Sequence, residues 1–217
     1  MKGNLSKVNQ RYIKSENRKW LIGYLLLQII IFALFAGFIS PTFSDVNLLL
    51  SKLKDPQGFL PLLAVIFSIV LEGLLSNPIK EFLVFWRVRN RLPGHRAFTK
   101  VGPPDSRIDM ERVRKLFPDG LPSDPKLQNN EWYDLYKKYG DERRVFYSHK
   151  AFLLTRDLTA LAATVIPLSF IGHLIAGSQW NMVGNHFLIL LAILVLISIS
   201  ARNYGNRFVA NVLIEAT

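Results

Sequence analysis

The sequence predicts an all-α integral membrane protein, with four transmembrane helices and a basic helical insertion between the second and the third. Three observations carry this. The apolar residues of the 217-residue chain are gathered into blocks, with a mean hydropathy of +0.20, where a soluble domain spreads them by period. The Lys and Arg residues crowd alternate connecting segments. The polar stretch between the blocks carries helix caps and Pro/Gly turns, and nothing in it reads as a strand.

A bilayer core of roughly 30 Å takes about 20 apolar residues as helix. Four blocks qualify. Trp20–Ser40 has no charge and stops at Pro41. Phe59–Leu75 is shorter and carries Glu72. Leu158–Ala176 contains Pro167 and His173, and His186–Ala201 is aliphatic through its middle. The charges ahead of the first block resemble a secretory signal, but the run is too long for an h-region. Ala36-Gly37 lies inside it, so it reads as a retained helix. Trp20 and Trp180 fall at ends of crossings, where indole favours the headgroup boundary.

Orientation follows from the basic residues. Segments 1–19, 77–156 and 201–217 together hold 25 Lys and Arg, whereas 41–58 and 177–185 hold 2, Lys52 and Lys54. The positive-inside rule puts the former on the cytoplasmic side. The expected organisation is a cytoplasmic segment 1–19, helices 1 and 2 over 20–76, a basic helical domain over 77–156, helices 3 and 4 over 157–201 and a cytoplasmic tail 202–217. The location implied is a bacterial inner membrane, with both termini in the cytoplasm. Residues 177–185 form a tight turn, making the last two crossings antiparallel neighbours.

Within the insertion, Asn77-Pro78 interrupts the second helix. Ile79–Asn90 is amphipathic and either lies at the inner headgroup surface or lines a vestibule. Leu92-Pro93-Gly94 is a turn. Asp105 or Ser106 caps a helix to about Phe117, with Ile108, Val113, Leu116 and Phe117 as its apolar stripe. Asp124-Pro125 opens a helix to Tyr139 that stops at Gly140. Trp132, Leu135, Tyr136 and Tyr139 mark its buried face. Asp141 caps a helix that runs unbroken into the third crossing. The core of such an insertion is thin, so it needs the membrane stem or neighbouring copies for stability.

Enzymatic patterns are missing. There is no phosphate-cradling loop, no GxGxxG and no cysteine. His95, His149, His173 and His186 lack metal spacing, and the last two flank the outer turn as interfacial residues. Arg89/His95 and Arg144/His149 match a helical ribonuclease pairing only weakly. No enzyme activity, cofactor or metal is expected.

Two constellations remain. Ser68, Glu72 and Ser76 form a polar stripe on the second helix. It reads either as helix packing, with Glu72 protonated or paired to Lys80, or as a pore lining, because a carboxylate in a crossing faces protein or water. Gln28, Ser169, Ser198 and Ser200 read as interhelical hydrogen bonds. Arg87, Arg89, Arg91, Arg96 and Lys100 cluster without an intervening acid, interleaved with His95 and Phe98 and preceded by Trp86. Charge alone favours inner-leaflet lipid. A ring of identical subunits would repeat the cluster about an axis and favour an oligonucleotide or cyclic nucleotide.

Three stretches together carry a resemblance. They are Phe85-Trp86-Arg87-Val88-Arg89 with Leu92-Pro93-Gly94-His95-Arg96-Ala97-Phe98; Asp105-Ser106-Arg107-Ile108-Asp109; and Leu121-Pro122, Pro125, Gln128-Asn129, Trp132-Tyr133 and Leu135-Tyr136. With the four-crossing layout, the chain resembles small membrane proteins of bacterial antiphage defence operons, first the Hailong-type effector and second the Kiwa membrane subunit. The resemblance implies a homo-oligomeric, tetrameric channel. It also implies an operon-encoded nucleotidyltransferase partner, whose DNA oligomer holds the channel shut on a basic ring at 87–100. Loss of the oligomer then depolarises the cell. The competing expectation is a non-conducting scaffold or sensor that recruits a soluble defence partner through 105–139.

Overall fold

The computed structural model describes residues 2–38 and 73–217, with 47, 51 and 70 between them, and side chains from residue 15 onward. Among the described residues all regular structure is helical: α1 (Lys2–Phe35), α2 (Asn77–Phe85), a 3-10 turn (Pro93–Arg96), a π turn (Ala97–Val101), α3 (Met110–Lys115), α4 (Pro125–Tyr139), α5 (Arg143–Ala176) and α6 (Trp180–Glu215). Among the described residues three helices are long and apolar enough to cross a membrane: Ser15–Phe35 within α1, then α5 and α6. Most of the crossing expected at Phe59–Leu75 falls outside the described residues, as do Ser68 and Glu72.

Several boundaries differ from expectation, each for a local reason. α2 ends at Phe85 rather than near Asn90, because Trp86 and Asn90 take left-handed φ values of 52° and 49°. A side chain in that region is uncommon and ends a right-handed helix. α3 is capped by Asp109, whose carboxylate accepts from the Glu111 and Arg112 N–H groups. Asp105 is occupied instead by the Arg107 backbone N–H and guanidinium. α4 has the expected limits, and the Asp124 carboxylate accepts from Lys126 and Leu127 N–H ahead of Pro125. α5 begins at Arg143 and runs through Pro167 without a break.

The largest difference is α6. It begins at Trp180, not His186, and continues to Glu215 instead of stopping at Ala201. Thirty-six residues at about 1.5 Å each make roughly 54 Å of helix, far more than a bilayer core requires. The expected tail is therefore helix as far as Glu215.

The chain forms two compact units, with α1, α2, α5 and α6 contributing residues to both. The first comprises residues 1–15, 81–156 and 198–217. Its core joins Val84, Phe85, Ala97, Phe98, Ile108, Val113, Trp132, Val145 and Phe152 to Ala201, Phe208, Val209, Ala210, Val212 and Leu213 of α6. The end of α6 thus shares one apolar core with residues 81–156. Gly205 makes this possible, since a Cβ there would stand 2.8 Å from Phe85 Cζ and 3.1 Å from Phe152 Cε2. Trp132 Nε1 donates to the Val209 carbonyl at 3.3 Å, and the ring meets Phe208 edge-on. Gln128 is fully buried and satisfied. Its Oε1 accepts from Phe98 N–H and Thr99 Oγ1, and its Nε2 donates to the Ser123 carbonyl, which ties α4 to the π turn.

The second unit comprises residues 16–80 and 157–197. Ala160, Leu161, Ala162, Val165, Val183 and Leu190 are buried, while Leu168, Ile171, Leu174, Ile175, Leu188 and Leu196 face outward. Ile175 is 83% exposed. Outward aliphatic side chains in such density are what lipid-facing helices present, because lipid supplies no drive to hide them. The protein is accordingly a multi-pass, membrane-embedded helical protein.

Candidate functional site

The loop after α2 is where the chain concentrates charge and unusual backbone. The carbonyl of Phe82 accepts from Trp86 N–H at 2.8 Å, and Trp86 then turns the chain out of the helix in its left-handed conformation. Pro93 and Gly94 are buried in the 3-10 turn that follows, which leads directly into the π turn. Gly94 lies so close to α4 that a Cβ would meet Asn129 Oδ1 at 2.5 Å and Trp132 Cε3 at 2.9 Å. These turns fold the basic segment back across α6.

The result is a cavity of about 440 Å³ lined by Phe85, Trp86, Arg87, Arg96, Lys100, Val101, Arg202 and Asn206. Three of the five expected cluster residues meet there: Arg87, Arg96 and Lys100. Arg89 is exposed and does not line it. Arg91 is half-buried and its positive charge acts on Glu81. The reason is the helix end at Phe85. With the chain no longer helical, the spacing of Arg87, Arg89 and Arg91 does not keep them on a common face. A second cavity of about 390 Å³ shares Lys100, Val101 and Asn206 with the first and adds Arg107 and Arg207, along with Asp105. Asp105 is engaged with Arg107 at 2.6 Å, which holds its carboxyl below the usual range.

Arg202 is the site residue that sequence reasoning missed. Its Nε and Nη2 donate to the Val84 carbonyl at 3.3 and 3.2 Å, and its guanidinium lies 4.5 Å from the Trp86 ring centre. Ser198, one turn earlier, donates to the Leu83 carbonyl at 2.9 Å. Ser198, Arg202 and Asn206 recur every four residues and so share one face of α6. The row was legible in principle, but a crossing that stops at Ala201 cuts it in two. The Arg96 guanidinium is held below its ordinary value, first by burial and then by the positive charges of Arg87 and Arg202. Mutual repulsion of this kind is relieved by an anion, and guanidinium groups pair with phosphate in charge-assisted bonds.

No family model, curated protein or solved structure matches the chain. Function is therefore read from the cavity and from the helices that carry it.

The histidines are used in packing networks. Tyr136 Oη and His149 Nδ1 lie 3.1 Å apart, and the imidazole stacks on Phe208. His95 Nδ1 is 3.2 Å from the Leu92 carbonyl. His173 and His186 are both buried, with His173 Nε2 and His186 Nδ1 2.8 Å apart and Ser178 Oγ 2.9 Å from His173 Nδ1. The turn at 177–179 is short enough to bring α5 and α6 side by side at these two rings. Among the described residues no group of three or more His, Cys, Asp or Glu could hold a metal ion. Ser76 is described and exposed, whereas its stripe partners Ser68 and Glu72 are not described. Lys80, considered as a partner for Glu72, forms a buried ion pair with Asp157 at 3.3 Å.

Proposed function

We propose that the protein is a homo-oligomeric, channel-type effector of the bacterial inner membrane, acting in antiphage defence and controlled by an anionic oligonucleotide. In this reading four helices cross the bilayer, both termini are cytoplasmic, and a partner nucleotidyltransferase supplies the ligand. Opening depolarises the cell. The observation that carries the proposal is the convergence of Arg87, Arg96, Lys100 and Arg202 on one cavity beside Trp86. Four cations in a concave site attract phosphate groups, and aromatic surface beside them offers a face to a base. The membrane helices add support of a second kind: α5 and α6 expose aliphatic surface on which lipid or further copies of the chain can pack.

The test is ion flux through proteoliposomes, with and without a 5′-phosphorylated deoxyoligonucleotide of a few residues. Ligand-sensitive flux supports the reading. Absence of flux under both conditions, together with stoichiometric recovery of a soluble partner, would replace the channel with a scaffold.

A further inference from the structure

We propose that Arg202 is the ligand-sensing residue of the basic cavity. A phosphate-bearing anion seated among Arg87, Arg96 and Lys100 draws its guanidinium off the Val84 carbonyl and so loosens the hold of α6 on the end of α2, which Ser198 still keeps at the Leu83 carbonyl. The proposal rests on the reading of this cavity as an anion site.

The argument starts from what Arg202 holds now. Two of its nitrogens share a single neutral oxygen, that of Val84, at 3.3 and 3.2 Å. Both contacts are long, and one carbonyl oxygen cannot align well with both donors. A phosphate oxygen offers a charged acceptor at about 2.7–2.9 Å and roughly twice the strength of a neutral bond. The competition therefore favours the anion once it is present. The cations already crowd one another, since Arg87 and Arg202 both act against the charge on Arg96. A bound anion offsets that repulsion.

The position is also poised to respond. Trp86 sits in the left-handed region at φ 52°, a conformation costing roughly 1–2 kcal/mol for a residue with a Cβ. Such strain persists only where surroundings over-determine it. Here the surroundings are the Phe82 carbonyl and the Arg202 guanidinium over the ring. Removing the guanidinium withdraws one of the two. Ser198 keeps its bond to the Leu83 carbonyl and serves as the pivot. Arg202 thus links three things on one side chain: the cavity, the Val84 carbonyl of α2 and the helix α6.

A phosphate ester can reach this cavity from a soluble ligand or from a lipid headgroup, and the experiment separates the two. The full chain is placed in phosphatidylcholine nanodiscs and titrated with pyrophosphate, then with a 5′-phosphorylated trinucleotide. Binding is read by calorimetry, and Trp86 by the emission that Trp86→Phe removes. The proposal expects a Trp86-dependent emission change that saturates with the heat of binding. Arg202→Lys keeps the charge but cannot chelate the carbonyl, so it binds within a few-fold of wild type and loses the emission change. Arg202→Gln weakens binding about tenfold or more. Arg89→Gln, which lies outside the cavity, behaves as wild type and controls for folding and net charge. If phosphatidylglycerol nanodiscs alone produce the same Trp86 change, the anion is a headgroup and the role of Arg202 stands. Binding heat without any Trp86-dependent change overturns the proposal while leaving the cavity an anion site. No binding of pyrophosphate, trinucleotide or phosphatidylglycerol removes the anion site and the proposal together.

Discussion

Leu213→Ala measures how much the end of α6 contributes to the first unit. Leu213 is 0% exposed, and its Cδ1 lies 3.2 Å from where a Cβ on Gly102 would stand. Truncation to Ala removes three carbons, about 2.4 kcal/mol of transfer free energy at about 0.8 each. The packed surroundings relax only partly, so a cavity cost adds to this and brings the total to about 3 kcal/mol or more. For a chain of 150–250 residues each kcal/mol shifts the midpoint by about 2–4 °C, so a fall of at least about 6 °C is expected. The assay is thermal unfolding in detergent followed by tryptophan emission. Trp132 is the natural reporter because its indole N–H donates to the Val209 carbonyl of α6. Deletion of residues 202–217 should abolish the native emission altogether. A midpoint unchanged in Leu213→Ala, or a native Trp132 signal in the deletion, would show that this segment is a dispensable tail and refute the reasoning.

Asp157→Asn should destabilise the protein by about 3–5 kcal/mol because it leaves the buried Lys80 ammonium facing a neutral amide, whereas Lys80→Met with Asp157→Leu should recover most of that loss in the same thermal assay. Arg87→Gln with Arg96→Gln should weaken binding of a short deoxyoligonucleotide by about tenfold or more and flatten its salt dependence, while Arg89→Gln should change neither, as measured by fluorescence anisotropy across a salt series. The natural chain has no cysteine, so Ser106→Cys, on the exposed loop before α3, gives a single labelling site. An impermeant maleimide should label it in inverted membrane vesicles and not in intact cells. Labelling from outside would reverse the orientation drawn from the basic segments.

Composition and spacing were enough to specify helix type and membrane embedding. Blocks of aliphatic residues cannot be hidden by a chain this short, so Leu158–Ala176 and His186–Ala201 each fall within a helix long and apolar enough to cross, as does the first block from Trp20 to Phe35, where α1 ends short of the expected Ser40. Local cap chemistry is likewise written in adjacent residues, and Asp124-Pro125 marks the start of α4 because cap and acceptors are neighbours in sequence. What sequence could not decide was which distant residues share a site. Asp105 and Asp109 are equally good caps by type, and only the capture of Asp105 by Arg107 leaves the role to Asp109. His173 and His186 flank the turn between α5 and α6 in sequence, but only the antiparallel pairing of these helices brings their rings together. The cavity follows the same rule. Arg87 and Arg202 are 115 positions apart in the chain, and they meet because α6 continues past Ala201 and packs its far end into the core formed with residues 81–156. Hydropathy and spacing report what each segment prefers locally. Which segments fill each other's apolar surface is settled by packing, and in this protein packing carries Arg202 into the basic cluster.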